Sequence, residues 1–429
     1  MWSLQSLMDF FKRRDFDFDN PHMNLHIFHP QLRILLASNG IFFNNIESKL
    51  RFVWPFIYNS FSIMAMVLEI IFIEHGISVK DYSFATESFC YFIIITSIPI
   101  VNISVLMNKK KLLNLLEHMN RDFVYICGLD MKYKNQFLQG QLLIWQLCNV
   151  WFIFTSIVAS LFIVTCLLAL IYQSLFGRQD ENTIRPLPFP VWLPNDDPYR
   201  TPIYEIFLIF ESIIVYNFIQ TFCVYVYVMF HTLLHYYYLM SMTILDFEVI
   251  FDGLDETVIQ LSRNNIRRIA VQHTLNQRMK RIVTWHISLF RSVKNISSVY
   301  GPPLVFQVSL SSVAICLMAY QIAEYLDRGK IHFLFILLLL ATCIQLWIPC
   351  FLGTLLRNQA FAVGEACWSC GWHEKPLGRL LRSDIIILIL RAQQPVNIQF
   401  TGLPKLELET FSSILSTSYS YFNILRQYE

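Results

Sequence analysis

Ser418-Tyr-Ser-Tyr-Phe-Asn-Ile-Leu-Arg-Gln-Tyr-Glu429 is the stretch that decides the fold of this chain. Serines and tyrosines alternate at its start, and polar side chains return at Asn423, Arg426 and Gln427. A helix that faces lipid has no use for these polar groups, whereas a helix that lines an aqueous path does. The stretch therefore predicts a membrane protein whose last helix faces water in its interior.

The composition of the whole chain also favours a membrane protein. Hydrophobic residues make up 55% and charged residues 15% of its 429 residues, and the mean hydropathy is +0.45. A soluble domain carries about 25% charged residues. The net charge of +2 carries no information about partners, and no basic run suggests a nucleic-acid partner. Residues 1–30 lack the short apolar core of a signal peptide, so we expect the first helix to direct its own insertion.

Seven segments approach the length and apolarity that a membrane crossing needs, which is about 20 residues. The fourth contains Glu205 and Glu211, and the seventh is the least apolar because it contains Glu407, Glu409 and several serines. The segments cover approximately residues 52–73, 85–107, 147–172, 203–230, 298–324, 332–353 and 407–427. We therefore predict an all-α integral membrane protein with seven transmembrane helices.

The distribution of Lys and Arg predicts the orientation. The N-terminal segment and the second, fourth and sixth loops hold 26 of these residues, whereas the other loops hold 6. Because Lys and Arg concentrate on the cytoplasmic side, the N-terminus is predicted to be cytosolic and the C-terminus extracellular. A G-protein-coupled receptor has the opposite orientation, so that class is disfavoured.

Two of the predicted cytosolic segments have helical patterns. Residues 231–297 begin with apolar residues at helical spacing, which predicts that the fourth helix continues beyond the membrane. Residues 383–394 begin at a Ser383/Asp384 cap, stop before Pro395 and are apolar nearly all round. This helix is too short to span, so we expect it to be buried against protein and to form a subunit interface.

The predicted organisation has six parts. They are a cytosolic N-terminal segment (1–51), transmembrane helices one to four with an external Pro-rich loop at 173–202 (52–230), a cytosolic helical extension (231–297), transmembrane helices five and six (298–353), cytosolic anchor helices (354–406) and a pore-lining seventh helix (407–429).

The long external loop has a distinctive core, Pro186-Leu-Pro-Phe-Pro-Val-Trp-Leu-Pro194. Prolines at alternate positions favour an extended strap. Phe189 and Trp192 are placed to pack onto helix ends. The loop is therefore either a rigid external lid or a roof over a cavity.

Three stretches of this chain resemble the insect odorant receptor family. The first is the Pro-Phe-Pro-Val-Trp loop followed by Pro-Ile-Tyr-Glu205, and the second is Gly364-Glu-Ala-Cys-Trp-Ser-Cys-Gly-Trp372, where Trp368 replaces a usual Tyr. The third runs from Arg391-Ala-Gln-Gln-Pro395 through Ser420-Tyr-Phe422. The residues Ser420-Tyr421 and Gln427-Tyr428 also resemble a signature of insect gustatory receptors, but the outer loop and the Trp372 region favour the odorant branch.

The resemblance implies a ligand-tuning subunit of an odorant-gated, non-selective cation channel. Such a subunit forms a heterotetramer with the odorant co-receptor Orco in the plasma membrane of sensory neuron dendrites, needs no G protein and takes no cofactor. The fourth loop here is much smaller than that of the co-receptor. The resemblance further implies that the seventh helices meet at a central pore, where Ile424 and Tyr428 correspond to a hydrophobic constriction with Gln427 between them. A ring of apolar side chains blocks ions by dewetting. The terminal Glu429 would place negative charge near the outer mouth.

The resemblance places the odorant pocket within each subunit, in the outer half of the membrane. Volatile odorants are small and apolar, so their pocket should be largely aromatic and aliphatic with few polar groups. The candidate ligand-binding residues are Tyr91, Phe92, Ser156, Ser160, Ile163, Phe207, Phe210, Glu211, Ile214, Phe333, Ile336 and Leu337. Glu211 lies about 12 Å into the membrane and either donates a hydrogen bond to an odorant or bonds a neighbouring helix.

Other classes of function have weaker support. The histidines His231, His235, His273 and His286 accompany no nucleophile motif, so a membrane-bound acyltransferase is disfavoured and we predict no enzyme. A transporter would show repeat symmetry and broken helices, for which Pro99 and Pro302-Pro303 are the only indications. Cys367-Trp-Ser-Cys370 has no second pair of matching spacing, so we predict a packed turn rather than a metal site.

Overall fold

A computed structural model describes residues 24–41, 50–176, 185–194, 197–394, 398 and 405–427. These residues form helices and connecting turns, and they contain no strand. The predicted gate residue Tyr428 and the terminal Glu429 lie outside the described residues.

The structure describes eleven α-helices within these residues. In chain order they are α1 (Leu25–Phe28), α2 (Pro30–Ser38), α3 (Leu50–Val79), α4 (Tyr82–Met107), α5 (Lys109–Cys127), α6 (Met131–Phe176), α7 (Ile203–Glu248), α8 (Ile266–Asp327), α9 (Phe333–Ser369), α10 (Arg382–Ala392) and α11 (Leu408–Gln427). Short 3₁₀ helices cover Glu256–Gln260 and Pro376–Leu380.

Six helices, α3, α4, α6, α7, α8 and α9, are long and apolar enough to cross a membrane. They coincide with the first six predicted spans. The seventh predicted span coincides with α11, which is 20 residues long but less apolar because serines and Glu409 dilute it. The all-α membrane fold is thus confirmed, and the crossing of α11 stays a prediction.

Several helices are much longer than a bilayer is thick. The 46 residues of α7 and the 62 of α8 extend for about 69 and 93 Å, against a hydrocarbon core of about 30 Å. Helix α7 continues past residue 230 to Glu248, and the cytosolic location of this continuation stays a prediction. The predicted segment boundaries after residues 230, 297 and 353 fall inside the unbroken helices α7, α8 and α9. The parts of these helices beyond the membrane, together with α10, are called the anchor region below.

Helix α7 occupies the centre of the bundle. Every residue from Thr221 to Tyr236 is buried, on all sides of the helix. Helix α6, in contrast, exposes Ile153, Ile157 and Leu168 along one side. An aliphatic surface of this kind is expected where a helix faces lipid.

Helix α10 differs from its prediction. It begins at Arg382 after Leu381, with no side-chain cap, so the predicted Ser383/Asp384 cap is wrong. Ile385 and Leu388 are buried, whereas Ile387 and Leu390 on the other side are exposed. The helix is therefore covered by its own chain on one side only, although its sequence is apolar nearly all round.

Candidate functional site

The described part of the Pro-rich loop, residues 185–194, is called the strap, and it is held against the end of α3 and the first turns of α7. Trp192 stacks on His75 of α3 with ring centroids 3.7 Å apart. The hydroxyl of Tyr204 at the start of α7 donates to the carbonyl of Pro186 over 2.8 Å. The N–H of Phe189 donates to a carboxylate oxygen of Glu211 over 3.0 Å. These contacts fix the strap over the bundle, as the fixed φ angles of its prolines favour.

A cavity, called the strap cavity, lies directly beneath Phe189. Its volume is about 30 Å³ and no charged residue lines it. The ring of Tyr91, itself only 2% exposed, lies 4.8 Å from that of Phe189 and 5.6 Å from that of Phe335. The lining comes from four helices and the strap. It consists of Tyr91, Ile94 and Ile95 of α4, Val158 and Phe162 of α6, Ile214, Val215, Phe218 and Ile219 of α7, Leu338 of α9, and Phe189 of the strap. An apolar space with aromatic walls suits a small hydrophobic ligand.

Two of the predicted ligand residues, Tyr91 and Ile214, line the strap cavity. Glu211 lies at its upper edge through its bond to the strap. Four others, Phe92, Ile163, Phe210 and Leu337, are partly buried and pack against the surrounding core without lining the cavity. Phe207 is also partly buried.

The remaining predicted ligand residues point elsewhere. Phe333 and Ile336 are 55% and 40% exposed, so the prediction chose the outer side of α9. The inward side carries Phe335 and Leu338, which are both buried. On α6, the hydroxyls of Ser156 and Ser160 donate to the carbonyls of Phe152 and Ser156 within the same helix. They do not line the cavity, which Val158 and Phe162 reach instead.

The lining residues that the sequence did not indicate share a simple spacing. Ile94 and Ile95 follow Tyr91 by three and four residues, and Phe162 follows Val158 by four, as on one side of a helix. This spacing was visible in the sequence. It did not identify the cavity lining, because in helices that are apolar on all sides the sequence does not distinguish the side that faces the interior.

Glu211 is hydrogen-bonded to the strap, and its predicted bond to an odorant stays a prediction. It is 3% exposed, and its described hydrogen-bond partner is the strap backbone rather than a neighbouring helix. Residue 211 lies eight residues inside α7, about 12 Å from the start of the helix. The strap must therefore descend to the level of this carboxylate.

Helix α11 has two different sides. Ile414 and Ser418 are buried where α11 packs on α8 and α9. The opposite side, called the polar stripe, is exposed and consists of Ser413, Ser416, Thr417, Ser420, Ile424 and Gln427. The hydroxyls of Thr417 and Ser420 donate to the carbonyls of Ser413 and Ser416, so their oxygens remain free to accept from outside. Ile424 interrupts a stripe that is otherwise polar.

Both ends of α11 are fixed to the neighbouring helices. At its start, the N–H of Leu408 donates to Thr354 Oγ1 over 2.9 Å, and Glu407 pairs with Arg357 of α9. Gly353 of α9 allows the backbone just before α11 to approach closely, because a Cβ at Gly353 would lie 2.1 Å from the carbonyl oxygen of Leu406. At its end, Arg426 Nη1 lies 2.6 Å from Asp327 Oδ2 at the end of α8. Helix α11 thus runs alongside the apolar parts of α8 and α9.

Comparison with known families decides the identity of the chain. The family described as 7tm Odorant receptor matches residues 81–419, from the start of α4 to within α11. The chain belongs to the insect odorant receptor family. This odorant receptor is 27% identical to Odorant receptor 13a of Drosophila melanogaster over 64% of its own chain and 65% of that protein. It is 22% identical to Odorant receptor Or2 of Anopheles gambiae over 57% of its chain and 61% of that protein. The matches thus span less than two thirds of either relative.

The fold of this odorant receptor is also found in solved structures. The insect olfactory receptor OR5 from Machilis hrabei in complex with eugenol superposes with a TM-score of 0.69, at 16% identity, over 93% of this chain and 97% of that one. The same receptor in a second structure superposes with a TM-score of 0.69 at 17% identity, over 94% of this chain and 99% of the other. At these identities the match shows the shared fold.

Proposed function

We propose that this odorant receptor is the ligand-tuning subunit of an odorant-gated, non-selective cation channel. The observation that carries the proposal is the polar stripe of α11. A single subunit leaves the stripe uncovered, and the helix that bears it is fixed at both ends beside the apolar parts of α8 and α9. Hydroxyl oxygens on a membrane-depth helix suit a water-filled path for cations, and Ile424 would form its apolar constriction with equivalent residues of other subunits.

The strap cavity supplies the ligand site of the proposal. Its apolar lining favours a small volatile molecule, because burial of apolar surface contributes about 25 cal/mol per Å². Its volume of about 30 Å³ accommodates no more than a few water molecules. Binding of an odorant therefore requires the surrounding side chains or the strap to move, and such movement is a means of transmitting occupancy to the helices. The M. hrabei receptor that shares this fold binds eugenol, which supports an odorant as the ligand here.

The anchor region supplies the subunit contacts of the proposal. Ile386, Ile387 and Leu390 of α10 are exposed on one side of the helix. An aliphatic surface outside the membrane suggests a protein partner. We propose that the partner is the co-receptor Orco, in a heterotetramer. The odorant receptor coreceptor of A. gambiae is a relative of this chain, 27% identical over 143 residues, which is 33% of this chain and 29% of that protein. Subunits of one family pack through similar surfaces, which supports a mixed assembly.

The same proposal places the strap outside the cell and the anchor region in the cytosol, in the plasma membrane of a sensory neuron dendrite. The excess of Lys and Arg in the loops of the anchor side supports this orientation.

Co-expression with an insect co-receptor in a cell that lacks other odorant receptors tests the function. Whole-cell recording during application of an odorant panel should show inward cation currents that require both subunits. The currents should persist when the pipette contains GDPβS, since no G protein is required. Currents identical to those of the co-receptor alone would refute the tuning role, and block by GDPβS would refute direct gating.

A further inference from the structure

A second cavity lies deeper in the bundle than the strap cavity. Its volume is about 60 Å³, twice that of the strap cavity. The two share Ile94 and Phe218 as a common wall. In α4 the second cavity extends to Val101, ten residues beyond Tyr91, which corresponds to about 15 Å along the helix. The second cavity is called the hinge cavity below.

The name refers to the two prolines inside α8, Pro302-Pro303, because Pro303 forms part of the cavity wall. A proline has no N–H to donate, so the carbonyls of Ser298 and Val299 lose their usual helical partners, and helices bend at such points. Helix α8 packs against α11, and its end beyond these prolines is joined to α11 by the contact of Asp327 with Arg426. A molecule in this cavity therefore lies beside the two prolines of the helix that supports the polar stripe.

The wall of the hinge cavity has a definite polarity. No charged residue lines it, which excludes an ionic ligand. The hydroxyls of Ser97, Ser311 and Thr342 each donate to a carbonyl of their own helix, so they offer the cavity only acceptor oxygens. Gln307 donates to the main-chain carbonyl of Gln345 over 3.0 Å. The side-chain amide of Gln345, which also lines the cavity, makes no hydrogen bond with another described residue.

We propose that the hinge cavity is a second ligand site, separate from the strap cavity, and that it takes a small aliphatic alcohol. The hydrocarbon body of the ligand packs against Phe222, Phe306 and Leu310. Its hydroxyl donates to the acceptor oxygens of the wall and accepts from the amide of Gln345. An alkane satisfies none of these polar groups, whereas an alcohol satisfies an acceptor and a donor at once. Any effect of the occupant on current rests on the proposed channel function, but binding does not.

Photolabelling of the purified receptor, assembled with its co-receptor, tests the site directly. The probe is a hexanol that carries a diazirine, and the labelled peptides are mapped by mass spectrometry. We expect labels in residues 303–314 of α8 and 342–346 of α9, reduced by excess hexanol but not by the same concentration of hexane. Gln345→Leu should reduce this labelling about threefold to tenfold, as expected for the loss of one hydrogen bond.

Two filling variants separate the cavities. Ala314→Phe places a ring in the hinge cavity and should abolish labelling there. Ile214→Phe fills the strap cavity and should leave hinge labelling unchanged. Loss of hinge labelling in Ile214→Phe would mean that the two cavities are a single pocket. Equal competition by hexane would mean that the hydroxyl is not recognised. Labels spread over the lipid-facing side of α6 would mean the same. Each result overturns the proposal.

The labelling requires no current. If Ala314→Phe fails to assemble, Gln345→Leu and the hexane control still decide the outcome. Hinge labelling in a complex that conducts no odorant-evoked current would refute the channel function and retain the site. Currents without hinge labelling would refute the second ligand site and retain the channel function.

Discussion

The backbone N–H of Phe189 donates to the buried carboxylate of Glu211 over 3.0 Å, and this bond joins the strap to the central helix of the bundle. Phe189 also forms the roof of the strap cavity, where its ring contacts Tyr91. The same two residues thus determine both the position of the strap and the shape of the space beneath it. A ligand that displaces the backbone of Phe189 must strain or break this hydrogen bond.

The first prediction concerns this bond. Glu211→Leu removes the acceptor and leaves the Phe189 N–H without a partner, at a cost of about 1–3 kcal/mol. Hydrogen–deuterium exchange of residues 185–194 in the purified receptor should become faster, and the odorant concentration for half-maximal current should change. Glu211→Gln retains a carbonyl oxygen and should behave nearly as the wild type. Unchanged exchange in Glu211→Leu would show that the strap is held by its other contacts alone.

The second prediction concerns the proposed constriction. Ile424 lies on the polar stripe, so Ile424→Asn should allow water into a narrow apolar ring and raise the basal current. Leu425→Asn is the matched control, because it makes the same chemical change about 100° around the helix. Whole-cell recording of basal current and of relative Na⁺ and K⁺ permeability distinguishes the two. Equal effects of both variants on basal current and permeability would contradict the proposal that the polar stripe, rather than another side of α11, lines the pore.

The third prediction separates the pore from the pocket. Ile214 lines the strap cavity and lies away from α11, so Ile214→Ala should change the odorant dose–response without changing ion permeability. Ile424→Asn should do the opposite. The separation would be wrong if either substitution altered affinity and permeation together.

The fourth prediction concerns assembly through α10. Ile387 is 64% exposed in the single subunit, so Ile387→Lys should leave the chain folded but prevent its co-purification with the co-receptor. Ile385 is 0% exposed two residues earlier, so Ile385→Lys should unfold the region itself. Thermal unfolding in detergent and co-immunoprecipitation together measure the two outcomes. Normal co-purification of Ile387→Lys would exclude this side of α10 from the interface.

The fifth prediction concerns the ion pair that precedes α11. Glu407 is buried, and Arg357→Ala would leave its charge without its partner, at a cost of about 3 kcal/mol. The double variant Arg357→Ala with Glu407→Ala should recover much of this loss, since neither charge remains. A double-mutant cycle on thermal stability gives the coupling. Additive effects would indicate that the pair contributes nothing specific.

The sequence by itself determined the membrane class, the six long apolar helices and the family. These follow from composition and from local patterns, which depend on neighbours along the chain. It also indicated Glu211 as a special residue, because a carboxylate in an apolar stretch is costly wherever the stretch packs.

Only the tertiary structure decided which side of each helix faces the interior. Helix α9 exposes Phe333 and Ile336 and buries Phe335 and Leu338, although all four are apolar. In a soluble protein, polarity marks the outer side of a helix, but lipid is as apolar as a protein core, so that mark is missing here. The partner of Glu211 was decided in the same way, because the strap that reaches it is brought there by contacts with α3, α4 and α7.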